Sequence, residues 1–138
     1  MNRFVLDCSV TMSWCFEDEN NRYADSVLER LSKLEATVPS IWPLEVTNVL
    51  LVGERKKRIK KADSMRFIEL LRALPISIDE STTSRAMREV FTLAREYNLS
   101  SYDAAYLELT IRLGLPFATS DSTLCRVARR CGVQLVKG

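Results

Sequence analysis

The chain reads as a single α/β domain, residues 1–138, built on a mainly parallel sheet. Three features of the sequence predict this. Short apolar runs alternate with longer stretches of helical periodicity. The first and last of these runs, Phe4-Val5-Leu6 and residues 133–136, show little polar alternation, as expected of strands covered on both faces. The breaks carry turn chemistry: Gly114 and Gly132 follow helical patterns as C-terminal stops, and Pro43 and Pro116 open new segments.

The elements follow in order. A first strand over residues 3–6 ends at Asp7, which is placed to cap a short segment over 10–16. Tyr23, Val27, Leu28, Leu31 and Leu34 then repeat at helical spacing. A second strand at residues 37–38 leads into a helix opened by Pro43, in which Val46, Val49, Leu50 and Val52 recur. A further helix over 62–74 precedes a third strand over 76–78. Helices are expected over 82–97 and 101–113, a fourth strand over 117–119, a helix over 122–130 and a fifth strand over 133–136. Two helices fall between the second and third strands, so the chain is not a simple one-strand-one-helix repeat. No internal repeat, low-complexity segment or linker interrupts the pattern.

Composition bounds the chemistry. Apolar residues make up 46% of the chain and charged residues 28%, the balance of a globular domain. A net charge of +2 is too small for binding nucleic acid or membrane by bulk electrostatics, so any basic surface must be local. The chain has no histidine, which excludes histidine bases and histidine-ligated zinc. Cys8, Cys15, Cys125 and Cys131 match no zinc or redox spacing and read as small buried hydrophobes. There is no signal peptide or run of membrane-spanning length, so a cytoplasmic protein with reduced thiols is expected.

Four acids carry most of the functional information: Asp7, Glu45, Asp103 and Asp121. Each stands where an apolar run ends or a helix begins, and each has an ordinary explanation when taken alone. Asp7 and Asp121 fit N-caps, Glu45 offsets the dipole of the helix opened by Pro43, and Ser100 with Asp103 forms a capping box. Their directions are less ordinary. Glu45 shares a face with Asn48, Val49 and Val52; Asp103 with Tyr106, Leu107, Thr110 and Ile111; Asp121 with Leu124, Cys125 and Ala128. A carboxylate turned toward a core is costly unless paired or holding a cation. In an open parallel sheet the carboxyl ends of the strands share one edge, so four such acids can converge there. Converging carboxylates repel unless protonated or neutralised, and oxygen-only ligation favours Mg²⁺ or Mn²⁺.

Four segments occur in this order: Phe4-Val5-Leu6-Asp7-Cys8-Ser9, residues 38–48 ending Trp42-Pro43-Leu44-Glu45-Val46-Thr47-Asn48, Tyr102-Asp103-Ala104-Ala105-Tyr106-Leu107, and Ala118-Thr119-Ser120-Asp121. With them the chain resembles PIN domains over essentially its whole length, and most of all the VapC-type toxin ribonucleases of toxin–antitoxin modules. The resemblance implies a three-layer α/β/α sandwich, Mg²⁺ or Mn²⁺ dependence, cleavage of an RNA substrate, a homodimer and inhibition by a small antitoxin protein. It maps the family's four acids onto Asp7, Glu45, Asp103 and Asp121, and its supporting hydroxyls onto Ser9 and Thr119. Ser122-Thr123 departs from the pattern, which often has a charged residue after the last acid. Asp7 and Asp103 are then expected as direct ligands and Glu45 and Asp121 as completing the shell. Ser9, Thr119 and Asn48 stand as second polar groups beside them.

Other signals compete. Arg55-Lys56-Lys57-Arg58 with Lys60-Lys61 is the densest basic run, either a phosphate-binding surface or a solvated helix end. Arg126, Arg129 and Arg130 share that ambiguity. Glu17-Asp18-Glu19 reads as a solvated loop. A phosphoacceptor receiver domain would use Asp79, Thr119 and Lys137 at strand ends, but it gives Glu45 and Asp103 no role. A non-catalytic interaction module, with all four acids as caps, leaves three inward-facing acids unexplained.

Overall fold

The computed structural model describes residues 2–16 and 21–138. The acidic run at residues 17–19 lies outside the described residues. Strands β1 (Arg3–Leu6), β2 (Glu35–Pro39), β3 (Ile76–Asp79) and β4 (Phe117–Ala118) form one sheet in the order β3-β2-β1-β4. Every pairing is parallel. Phe4, Val5 and Leu6 are all buried although successive side chains leave opposite faces of a strand, so helices cover both faces of β1. At the edge, β3 is less covered, with Ser77 and Ile78 exposed.

The helices are α1 (Cys8–Ser13), α2 (Arg22–Arg30), α3 (Trp42–Arg55), α4 (Lys61–Ala73), α5 (Thr82–Arg85), α6 (Phe91–Tyr97), α7 (Ser101–Leu113) and α8 (Ser122–Arg130). Helix α7 packs directly on β1 and β2. Its Ala104 to Thr110 are buried without a break, five of these seven being apolar. Gly114, in the left-handed conformation at φ 65°, closes it, and its N–H donates to Thr110 O. The core runs from Phe4 and Leu6 through Tyr106, Leu107 and Phe117 to Leu124, with the Tyr106 and Phe117 rings stacked 6.2 Å apart.

Two expectations need correction. The fifth strand over 133–136 does not form; a single parallel bridge joins Leu135 to Phe117. Strand β4 is only two residues long, and just one of them, Phe117, bonds this segment: its N–H donates to Gln134 O and its carbonyl accepts from Val136 N. The helix expected over 82–97 is interrupted by a π-helical turn at Ala86–Val90, between α5 and α6. Here Val90 packs against Ala94, Ala104 and Ala105 at the α6–α7 contact, and an Arg85–Glu89 ion pair of 2.8 Å spans the turn.

The topology fixes where a site can form. From β1 the chain moves outward to β2 and β3, then returns to place β4 on the other side of β1. That reversal opens a crevice outside the carboxyl ends of β1 and β4. Asp7 follows one of those ends and Thr119 follows the other.

Candidate active site

The pairing of Leu6 with Ala118 brings the next residue of each segment, Asp7 and Thr119, side by side. Thr119 Oγ1 donates to Asp7 Oδ2 at 2.6 Å, and Ser9 Oγ donates to the same oxygen at 2.7 Å. These hydroxyls are held in turn by the loop after β4. Ser120 N donates to Ser9 Oγ at 3.2 Å and Asp121 N to Thr119 Oγ1 at 3.1 Å. Although Asp7 occupies the N-cap position of α1, its carboxylate makes no capping hydrogen bond, and the residue is only 5% exposed. Burial raises its carboxyl above the ordinary 3.8, against the bonds from Thr119 and Ser9, and the charge of Asp121 pushes the same way.

Glu45 stands in the first turn of α3, opened by Pro43. Trp42 Nε1 donates to Thr11 Oγ1 at 3.1 Å, and Thr11 Oγ1 donates to the Asp7 carbonyl at 3.2 Å, tying the start of α3 to the end of β1. Tyr106 Oη donates to Glu45 Oε1 at 2.6 Å. Burial raises the Glu45 carboxyl against that bond, and the charges of Asp7 and Asp103 raise it further.

Asp103 lies in the first turn of α7. Ser100 is the cap there, its Oγ accepting from Asp103 N at 3.0 Å. Burial raises the Asp103 carboxyl, followed by the charges of Asp7 and Asp121, with the Ser100 hydroxyl opposing. Asp121 departs from expectation. It is exposed rather than turned into the core, because its Oδ1 reaches back to cap α8 at Leu124 N, 2.9 Å away. Its charge nevertheless acts on both Asp7 and Asp103.

The four acids found in the sequence are thus brought into one electrostatic neighbourhood, with Ser9 and Thr119 bonded to Asp7 as expected. Asn48, one turn beyond Glu45, is exposed and bonds none of the four. Sequence reasoning missed Tyr106 and the Thr11–Trp42 link. The signal for Tyr106 was present: a tyrosine on the Asp103 face of a buried helix must find a partner for its hydroxyl. Burial, helped by the charges of Glu45 and Asp7, pushes the Cys8 thiol up to about 12.

A divalent cation suits this donor set on two grounds. All the donors are oxygens, and the upward shifts of Asp7, Glu45 and Asp103 are opposed by hydroxyls, with no Lys or Arg contributing. The cluster is open, however. Among the described residues no three acid or thiol side chains stand close enough to hold one ion as placed.

The receiver arrangement is not built. Asp79 ends β3 and Thr119 follows β4, at opposite edges of the sheet. Asp79 is instead committed to Arg112, whose two terminal nitrogens donate to it at 3.0 and 3.1 Å and hold its carboxyl below the usual range. The basic run is distant as well: Arg55 lies ten residues along α3 from Glu45, about 15 Å at helical rise.

The model of the PIN domain family matches residues 4–130. The chain belongs to the PIN domain family. It is 21% identical over 122 residues to Ribonuclease VapC3 of Pyrobaculum aerophilum, covering 88% of this chain and 92% of that protein. Among solved structures, VapBC2 from Rickettsia felis, bound to a DNA fragment from their promoter, superposes with a TM-score of 0.67 at 12% identity, covering 97% of each chain. A toxin–antitoxin complex from Klebsiella pneumoniae superposes at 0.61 with 18% identity, covering 86% of this chain and 87% of that one. At these identities the structural likenesses show a shared fold.

Proposed function

We propose that this chain is a divalent-metal-dependent endoribonuclease, the toxin of a toxin–antitoxin pair, hydrolysing RNA phosphodiester bonds at Asp7, Glu45, Asp103 and Asp121. The observation that carries the reading is Asp7: a buried carboxylate that makes no side-chain cap, accepts from Ser9 and Thr119, is raised by the charge of Asp121 and itself acts on Glu45 and Asp103. The family match and the names of the relatives support an RNA substrate and an antitoxin partner.

Asp7 and Asp103 would hold the ion, with Glu45 and Asp121 completing its shell directly or through water. A bound Mg²⁺ or Mn²⁺ supplies a more acidic water and neutralises charge developing on the phosphate. Ser9 and Thr119 fix the direction of the Asp7 carboxylate, and Tyr106 fixes that of Glu45. With no histidine in the chain, the nucleophile would be either a water that loses its proton to a carboxylate or a hydroxide held on the ion. Cleavage of total RNA with Mg²⁺ or Mn²⁺, abolished by EDTA, is the expected result. Intact RNA under both conditions would favour a non-catalytic module, which the open cluster also fits.

Two partners accompany this reading. The uncompensated acids offer a site for an arginine of an antitoxin, which can pair with carboxylate in bidentate fashion. Equal cleavage with and without the protein encoded beside it would remove that assignment. A homodimer is expected through apolar helical surface, of which Met65 and Leu70 on α4 and Met87 and Phe91 near α6 are exposed. Light scattering that finds a monomer at micromolar concentration would contradict it. Among the described residues no helix is long and apolar enough to cross a membrane.

A further inference from the structure

A groove of about 1120 Å³ leads away from the carboxylates, and its lining includes Arg3, Arg30, Arg129 and Lys137. Among the described residues no Asp or Glu side chain lines it, although Gly138 at the end of the chain does. It begins at Thr119 and Ser120, the residues that bond Asp7 and Ser9 within the candidate site. From there it follows α2 and α8 toward the amino ends of the strands, reaching Arg3 at the start of β1 and Pro116 just before β4. The nine residues of α2 alone span about 13 Å. That is room for several phosphates, even at the roughly 3.4 Å spacing of a stacked strand. The volume also exceeds the roughly 300–1,000 Å³ of an ordinary small-molecule pocket.

The cations are available to a ligand. None of the four forms an ion pair with an acid among the described residues. Arg30 is held in place by its Nη2 donating to the Lys137 carbonyl at 2.6 Å, while its Nε is buried with no hydrogen-bond partner among the described residues. Arg30 as a whole is only half-buried, but a buried donor left unused is costly unless an acceptor completes it. Arg129 and Lys137 are exposed at the groove's sides.

We propose that this groove is the track for the RNA strand, its cations binding the backbone phosphates on one side of the bond presented to Asp7. The proposal rests on the ribonuclease reading and adds the path of the substrate. It also assigns substrate binding to this groove in place of the basic run at 55–61, which stands at the far end of α3 from the acids.

The test is fluorescence anisotropy of a labelled single-stranded RNA in EDTA, titrated at several salt concentrations. The double variant Arg129→Gln, Lys137→Gln should bind at least tenfold more weakly at low salt. The slope of log affinity against log salt should fall in magnitude by about 1.4, roughly 0.7 for each lost phosphate contact on a single strand. Arg30→Gln should also weaken binding, and thermal melts identify any variant that is merely unfolded. Asp103→Asn, inactive under the proposed function, should bind RNA at least as tightly as the parent. If the parent binds and cleaves RNA while Arg129→Gln, Lys137→Gln matches it in affinity and slope, the groove assignment falls and the nuclease reading stands. A double variant changed only in oligomeric state would make the groove an interface between copies and would equally overturn the proposal. A parent that neither binds nor cleaves RNA removes both.

Discussion

An acid at a helix start can neutralise orphan N–H groups or face a site, and Asp7 and Asp121 divide these roles. Asp121 caps α8 with one oxygen, whereas the Asp7 carboxylate turns away from α1 to Ser9 and Thr119. Thr119→Val should therefore leave the charged form of Asp7 with one donor fewer and raise its pKa. The acid limb of the pH–rate profile for RNA cleavage is expected to move upward, and an unmoved limb would mean that Asp7 is not the group titrating. Tyr106→Phe keeps the buried ring but removes the donor to Glu45. It should cost about 2 kcal/mol in denaturant unfolding, the usual scale for a hydrogen bond to a charged group. Glu45, Asp103 and Asp121 stood out in the sequence because helical periodicity set them against apolar faces, and Asp7 because it ends the first strand. Tyr106 was legible only as core, since a pattern of apolar positions does not reveal where a hydroxyl finds its partner. Asp121 was misjudged in direction because a cap and an inward-facing acid occupy the same position in a sequence.

The elements are joined by polar contacts as well as by apolar packing. Arg112 on α7 bonds Glu108, which is buried one turn back, and reaches Asp79 at the end of β3. Arg85 approaches the same Glu108 at 3.9 Å, so this cluster fastens the edge strand and the π-helical turn to the central helix. Arg112→Met should cost about 3 kcal/mol, because it leaves a buried carboxylate short of its main cation. A loss below about 0.5 kcal/mol in urea unfolding would place the cluster with ordinary surface pairs. The four strands were readable from short apolar runs and the helices from their period. The fifth strand was not distinguishable from a segment that makes one bridge, since pairing depends on how much of β4 is free to bond. The π-helical turn was hidden for a similar reason: one extra residue in a long helix hardly disturbs its apolar pattern.

At the scale of the whole molecule, the carboxylates give stability a definite pH dependence. Asp7, Glu45 and Asp103 have folded pKa values raised above 3.8, 4.5 and 3.8, so between those values and the raised ones the native state holds more protons than the unfolded chain. Stability in EDTA should accordingly fall as pH rises through that window and then level off. Asp79 acts oppositely and lower: its folded pKa is depressed, so its contribution is complete above 3.8 and is lost as pH falls through the folded value. Melts that rise steadily from pH 4 to neutrality in EDTA would contradict these raised carboxyls, which burial raises first and the neighbouring charges second. The central claim is that these acids form one divalent-cation site, and thermal melts of parent and Asp→Asn variants with and without Mn²⁺ test it most directly. Asp7→Asn and Asp103→Asn should melt at or above the parent in EDTA, because each removes a repelled charge. In millimolar Mn²⁺ the parent should gain several degrees and these variants little, since an ion that binds only the folded chain stabilises it by mass action. The exposed Asp25→Asn on α2 should gain as much as the parent. Equal Mn²⁺ shifts in the parent, Asp7→Asn and Asp103→Asn would contradict the claim.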